Sequence, residues 1–559
     1  MRTLSLLAAA WLLAFPTLAA PSRLADQLDR ADAAFAQSDW AQYRALYAEL
    51  AAAHPDNGLY AYRLARAERS LGNRAAARAA FERAVRLGTQ QARAELHLAA
   101  LAAEEGDGAA ATRWFEAARA HHLVNAEQEL LGEPALAALA QQPAWQARLL
   151  PRLAEGAGRQ ARWAADLDFL ARRLPETHWR LEAQLPRERL KAGLQALKAE
   201  LPKLADWQVH LRLQTLVREA GSGHTTLVPP LQGAGAFHRL PLQFAAFADG
   251  WYVQAAAPGH AQWLGARLLK VGEATPEQAL AHLTPLLQHD SATGLLRVGQ
   301  RLMALTEYLA FVGLSATRDQ ATLLLQRPGA TPERVTLQGQ TLDMPALQQM
   351  VMALEAPAGW QAARQGDAPL HLSQPEQPFL LQTLEGGLVY AQLRRVTDGP
   401  SETLAAFALR LQQALHGASG LVLDLRHNSG GNGELLEPLL QALIRSPQLG
   451  ERGRLHVLTS GRTFSAAALL LGDLERQFPG LIVVGEASGA GPHHVGEDNL
   501  ILLPNTGTGV LAASRVFVRS FSDDHRRSVA PSLQVAERWA DYLQGRDALL
   551  EAVRADLAR

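Results

Sequence analysis

The sequence predicts a multidomain chain in which α-helical repeats and a helical bundle precede an α+β module and a C-terminal α/β core. Three observations carry this. The chain has 559 residues, far more than one hydrophobic core accommodates. Apolar and small residues recur with a 34-residue offset between Leu64 and Ala118. Near the C-terminus, two strand–turn–helix patterns follow one another, each with small residues in its turn.

Residues 1–20 combine a basic Arg2, an apolar run Leu4–Phe15 and small residues ending at Ala19–Ala20. That is the pattern of a secretory signal peptide, too short to persist as a membrane anchor, so no integral membrane segment is expected. There is no cysteine, which excludes disulfides and a lipid-modified cysteine. Export without disulfides suits a bacterial envelope protein, periplasmic first and secreted second. A formal net charge of −1 gives no basis for a nucleic-acid surface.

In residues 21–145, Leu64, Gly72, Ala77, Phe81 and Ala84 reappear 34 positions on as Leu98, Gly106, Ala111, Phe115 and Ala118. This register resembles tetratricopeptide repeats, about three of them, which implies docking of a protein partner rather than chemistry. Residues 146–230 continue as helices, among them Trp163–Arg173, Arg187–Glu200 and Leu211–Ala220, and end in the loop GSGHTTL. Residues 231–349 change to short strands. Their segment GARLLKVGEATPEQAL resembles the strand–turn–helix of PDZ domains, although Leu280–Gly313 is too helical for a plain one. Residues 350–377, rich in Pro, Gly and Gln, read as a linker.

Residues 378–559 hold the two α/β units. Leu421–Leu425 is a buried-type strand that leads through Gly430 and Gly431 into an apolar helix, Glu434–Ile444. Leu455–Thr459 is a second strand, followed by Arg462–Ala467 and an apolar helix, Phe464–Leu474. Paired glycines let backbone N–H groups converge, and a helix N-terminus favours developing negative charge. Gly430 and Gly431, with the amide of Ala466, are therefore candidates for an oxyanion hole, and Ser465 for a nucleophile.

A serine nucleophile needs a base, and the base needs orienting. His224, in a glycine-flanked loop, and Asp523 or Asp524 are available. Competing readings stand beside each. Ser465 would simply cap its helix, His224 would be an exposed loop residue, and Asp523–Asp524 a solvated turn. Ser429 is a rival nucleophile without a G-x-S-x-G elbow. Pro492–His494 either touch substrate or shape their loop.

Together these pieces resemble the tail-specific (C-terminal-processing) serine peptidases. The family's DLR-x-N-x-GG motif corresponds to Asp424–Gly431, its serine with small residues to Ser465–Ala467, its GE turn to Gly485–Gly489, and its V-x-P-D element to Val529–Ser532, with Ser532 in place of aspartate. The resemblance covers roughly residues 150–559 and implies a ClpP/crotonase-like peptidase core. Lysine occurs only at 191, 198, 203 and 270, which rules out a Ser–Lys dyad downstream of the serine. The tricorn-like branch, with a histidine from a GDGHT-like loop and a late carboxylate, is the closer match. That implies His224 as base, Asp524 in preference to Asp523 as its orienting acid, and assistance from Ser222 or Thr225. Ser222 stands where aspartate is common.

There is no Walker lysine, no H-E-x-x-H and no Cys/His cluster, so no metal or other cofactor is expected. The expected function is an exported serine endopeptidase acting on protein or peptide substrates. The alternative is an inactive pseudo-peptidase that binds peptides through its repeats and PDZ-like region.

Overall fold

The computed structural model describes residues 23–123, 126–143, 145–146 and 151–559. The signal-peptide reading of residues 1–20 lies outside them. Contacts divide the chain into two compact units, Met1–Leu149 and Leu150–Arg559. Among the described residues no helix is long and apolar enough to cross a membrane.

The first unit is built of helices in antiparallel succession. Gly58–Ser70 with Arg74–Arg86 forms one pair, and Gln91–Glu104 with Gly108–Ala120 the next. The 34-residue register is visible in the turns, where Gly72 (φ 78°) and Gly106 (φ 80°) each end the first helix of a pair. It is equally visible in the core: Ala77, Phe81 and Ala84 are fully buried, as are Ala111 and Ala118, with Phe115 at 1% exposure. The alanines let neighbouring helices approach while each phenylalanine fills the space, contributing roughly 1.5–3 kcal/mol by burial. Asp39 and Asp107 cap the helices that follow them, accepting from Gln42 N and Ala110 N.

In the second unit, helices Arg159–Thr177, Arg187–Glu200 and Asp206–Arg218 bury Leu167, Leu170, Leu190 and Leu213 against Ile501, Val510 and Ala512. The last three residues belong to a long hairpin, His493–Leu502 with Gly509–Val518. The short strand Thr226–Leu227, just after the GSGH loop, adds to that hairpin by pairing with Leu511 and Val510. Two segments nearly three hundred positions apart in sequence thereby meet.

Residues 238–341 contain an antiparallel sheet of Leu242–Phe247, Gly250–Ala256, Arg267–Val271, Gln320–Gln326 and Glu333–Gln338 in that spatial order. Helices Pro276–Leu283, Ala292–Leu302 and Thr306–Phe311 account for the helical excess over Leu280–Gly313. Residues 350–377 are not a free linker. Gln361–Ala362 pairs with Gly250–Ala256, His371 and Leu372 are buried, and Arg364 makes a two-pronged ion pair with Glu355. Trp360 also lies under the Arg239 guanidinium, 4.3 Å from ring to cation. Composition alone does not reveal the strand pairing or the Arg239–Trp360 contact, because both are made with residues far away in sequence.

The C-terminal sheet runs Phe379–Thr383, Leu388–Leu393, Gly420–Asp424, Leu455–Thr459, Ile482–Gly485 and Leu533–Gln534. The first pair is antiparallel and the remaining pairs parallel. Gly420–Asp424 and Leu455–Thr459 are buried along their whole length, as strands covered on both faces must be. Leu421, Leu423 and Val457 pack on one face with Phe407 and Leu470, while Val422 and Leu458 pack on the other with Leu549 and Val553. The two central strands thus present their C-terminal turns side by side, where open α/β sheets place their ligands.

Candidate active site

Two turns meet at the carboxyl ends of the central strands. The first is fixed by its own motif. Asp424, fully buried, accepts from Arg426 and from Tyr390 Oη, and Arg426 in turn makes paired bonds to Asp547. Asn428 donates to Leu393 O, and its Oδ1 accepts the Gly430 N–H at 2.8 Å. The second turn is stitched to the first: Ser460 Oγ donates to Arg426 O, Thr463 Oγ1 to Leu425 O, and Phe464 N to Asn428 O.

These bonds hold Ser465 at φ 53°, ψ −128°, a conformation that costs a non-glycine residue about 1–3 kcal/mol. It precedes helix Ala466–Gln477, yet its side chain makes no capping bond. That sets aside the ordinary reason for a serine at this position. Gly430 packs directly on it: a Cβ there would lie 2.6 Å from Ser465 Cβ and 3.1 Å from Ala466 N. At Gly431 a Cβ would lie 2.1 Å from Val396 O. Among the described residues, the amides of Gly431 and Ala466 have no hydrogen-bond partner, whereas that of Gly430 is engaged by Asn428. Gly430 therefore makes room, and the two free donors flank it. Ser429 is exposed on the outside of the turn.

His224 reaches the same place from the loop before Thr226–Leu227. Its ring stacks on Phe464, 4.7 Å between centroids, the residue immediately before Ser465. Its Nδ1 lies 2.6 Å from Asp498 Oδ1, while Nε2 is buried and has no partner. A ring nitrogen against a carboxylate is the protonated one, which leaves the Nε2 lone pair available. Burial disfavours the imidazolium, but the Asp498 carboxylate, with Asp290 and Glu497 beyond it, outweighs this and raises the His224 pKa above 6.5. The loop itself is held by Ser222 Oγ, which accepts from His224 N at 3.1 Å, and by Asp290, which accepts from Gly223 N at 2.7 Å. Thr225 Oγ1 accepts from Ala513 N and is fully buried. Ser222 and Thr225 thus fasten the loop.

Neither Asp524 nor Asp523 is bonded to His224, whose carboxylate partner is Asp498. Asp524 accepts from Ser520 Oγ and from the backbone and guanidinium of Arg526, and Arg526 is anchored in turn by Glu475. Arg526 holds the Asp524 carboxyl well below the usual carboxylate range, and Asp523 is exposed. An arginine two residues along competes successfully for Asp524 because the turn brings the two together at no cost in chain entropy. Asp498 was missed, although a signal existed. In a strand successive side chains alternate, so His494, Gly496 and Asp498 share one face. All three lie against the imidazole. His494 stacks parallel to it at 5.9 Å, and a Cβ at Gly496 would be 3.4 Å from its Nε2. Burial and the neighbouring His224 push the His494 pKa down to about 4, so this second ring is neutral at physiological pH. Pro492 packs under helix Ala466–Gln477, close to Gly472.

A half-buried serine in a strained strand-to-helix turn, beside two unpartnered amides and near a histidine held by a carboxylate, is an arrangement suited to acyl transfer in an α/β core. No family model and no curated protein matches the chain. Solved structures do. A serine-to-alanine mutant of CPAF is 12% identical, with a TM-score of 0.50 over 71% of this chain and 96% of that one. The photosystem II D1 C-terminal processing protease is 16% identical with a TM-score of 0.30, over 68% and 93% of the two chains. The tricorn protease is 13% identical with a TM-score of 0.34, over 72% of this chain and 37% of its own. At such identity the CPAF match shows a shared fold over 71% of this chain and nothing finer.

Proposed function

We propose that this chain is a serine endopeptidase with Ser465 as nucleophile, His224 as general base and Asp498 as the group that orients the base. The observation that carries this reading is Ser465 itself, held in a strained turn against Gly430 with no capping bond from its side chain. In the proposed reaction, Ser465 Oγ loses its proton to His224 Nε2 and attacks a peptide carbonyl. The amides of Gly431 and Ala466 receive the oxyanion, and Asp498 stabilises the imidazolium through Nδ1–H. His224 then protonates the departing amine, and water hydrolyses the acyl-enzyme by the same route in reverse. This is how a tricorn-like peptidase is read onto these residues, with Asp498 in place of the late carboxylate first expected.

The remaining readings join this proposal. Residues 1–20 would direct export, the helical register would act as tetratricopeptide-like repeats docking a protein partner, and the antiparallel module would act as an expanded PDZ-like domain presenting peptide. Labelling with a fluorophosphonate followed by peptide mapping tests the central claim. A modified Ser465 is expected in the wild type, with no label after Ser465→Ala. Label on Ser429, or none in a folded protein, would overturn it.

A further inference from the structure

Behind the Ser465 turn lies a cavity of about 90 Å³, bounded by helix Ala292–Leu302, the 350–372 segment and Thr459–Arg462. Five arginines line it: Arg297, Arg301, Arg426, Arg462 and Arg546. Three are answered by carboxylates. Arg297 bonds Glu486 at 2.7 Å, Arg426 lies between Asp424 and Asp547, and Arg546 pairs with Asp541 and Glu551. Arg301 and Arg462 are different: among the described residues, neither makes an ion pair with any carboxylate. Arg301 Nη1 donates to Val351 O, and Arg462 Nη1 donates to Ala353 O at 3.4 Å. Both carbonyls lie at the C-terminal end of helix Met344–Met352, which supplies about half a negative charge against two full positive ones.

The other groups facing the cavity place no carboxylate in an ion pair with Arg301 or Arg462. His371 and His427 are bonded to each other at 2.9 Å, and burial followed by nearby cations keeps both neutral. The Nε atoms of Arg297 and Arg462 and the Nδ1 of His427 are buried without a partner. Glu537, the remaining acid in the lining, sits 3.9 Å from Arg426. Burial and the charges of Arg297 and Arg239 pull the Arg301 pKa down to about 10, with no carboxylate opposing them. A guanidinium does not shed its proton at neutral pH, so this half-buried pair leaves positive charge facing the cavity with no carboxylate beside it.

We propose that this cavity binds a small oxyanion, a phosphate or a carboxylate, bridged between Arg301 and Arg462. Planar N–H forks from two elements suit two oxygens of one anion. Arg462 lies three residues before Ser465, on the segment that Ser460 and Thr463 tie to the glycine turn. The occupant therefore links the helix Ala292–Leu302 to that turn. Binding does not depend on hydrolysis, so it is tested apart from the proposed function.

The experiment is calorimetry and thermal unfolding of the whole protein with inorganic phosphate, acetate and chloride at matched ionic strength. Saturating phosphate or acetate is expected to raise Tm by about 2–4 °C over chloride, with one site per chain. The anion giving the larger rise identifies the class. Arg301→Gln should weaken binding by roughly 10–100-fold, and Arg301→Lys should restore part of it. Wild-type protein responding equally to all three salts overturns the proposal, and this arm needs no variant to fold. So does Arg301→Gln binding as tightly as the wild type.

Discussion

Two pairs of glycines at positive φ behave in opposite ways in the two units of this protein. Around Gly72 and Gly106, at the helix turns of the first unit, nothing lies within 4 Å of where a Cβ would be. Around Gly430 and Gly431 the same Cβ would overlap Ser465 Cβ and Val396 O. In the helical unit glycine is chosen for its backbone freedom alone, and a side chain would cost conformational strain but meet no atom. At the candidate site glycine is chosen because another chain segment occupies the space. A repeated turn tolerates change; a packed turn that positions a serine does not.

The largest expected effect that would break this contrast is at Ser465. Ser465→Ala should lower peptide hydrolysis on the order of 10⁶-fold with an unchanged unfolding curve, read by kinetics and circular dichroism. Next comes the proposed orienting acid. Asp498→Asn should cost about 10⁴-fold in kcat, while Asp524→Asn, which only loosens a surface turn, should cost less than about threefold. A reversed order would return the role to Asp524. Third is Gly430→Ala, which displaces Ser465 and Ala466 and should reduce kcat by about 10²–10³-fold. Its counterpart Gly72→Ala should leave kcat alone and lower stability by only about 1 kcal/mol, measured by urea unfolding.

The pH dependence sharpens the same picture. The His224 pKa is raised in the folded protein, so the protonated form stabilises the fold below about 6.5, and this contribution is lost as pH rises through the folded value. Catalysis needs the neutral base, so kcat/KM should rise with pH through a midpoint above about 6.5. Asp498→Asn removes the main group that raises it and leaves burial, which acts in the opposite direction. The midpoint of its residual activity should therefore move down. A midpoint that does not move would separate Asp498 from the base.

Local features were legible in the sequence wherever a pattern repeats or a strand is buried on both faces. The 34-residue register reappears in the turns at Gly72 and Gly106 and in the buried Phe81 and Phe115. Gly420–Asp424 and Leu455–Thr459 form strands within one residue of their expected positions, and the helices after them start within three residues of expectation. The absence of lysine beyond position 270 also excluded one mechanism outright. Not legible were the pairing of Gln361–Ala362 with Gly250–Ala256 and the contact of His224 with Asp498, because each joins segments far apart in the chain. Asp498 and His224 are 274 positions apart. Proximity to the V-x-P element favours Asp524, but Arg526 holds that carboxylate.

What the sequence determined by itself is the set of local backbone choices: helix pairs from small and aromatic residues in register, and strands from continuous apolar runs. It also determined the glycines without which two turns cannot approach each other. Each of these depends on neighbours within one or two turns of chain, so residue type and spacing suffice. Tertiary structure decided the partners. Thr226–Leu227 joins the hairpin at Leu511 and Val510, and that pairing brings His494, Gly496 and Asp498 onto the His224 ring. It also left Gly430 N–H with Asn428, and the amides of Gly431 and Ala466 free. Which carboxylate meets a given histidine is settled by sheet register across hundreds of residues, and a one-residue change in that register would turn the strand's other face toward the imidazole.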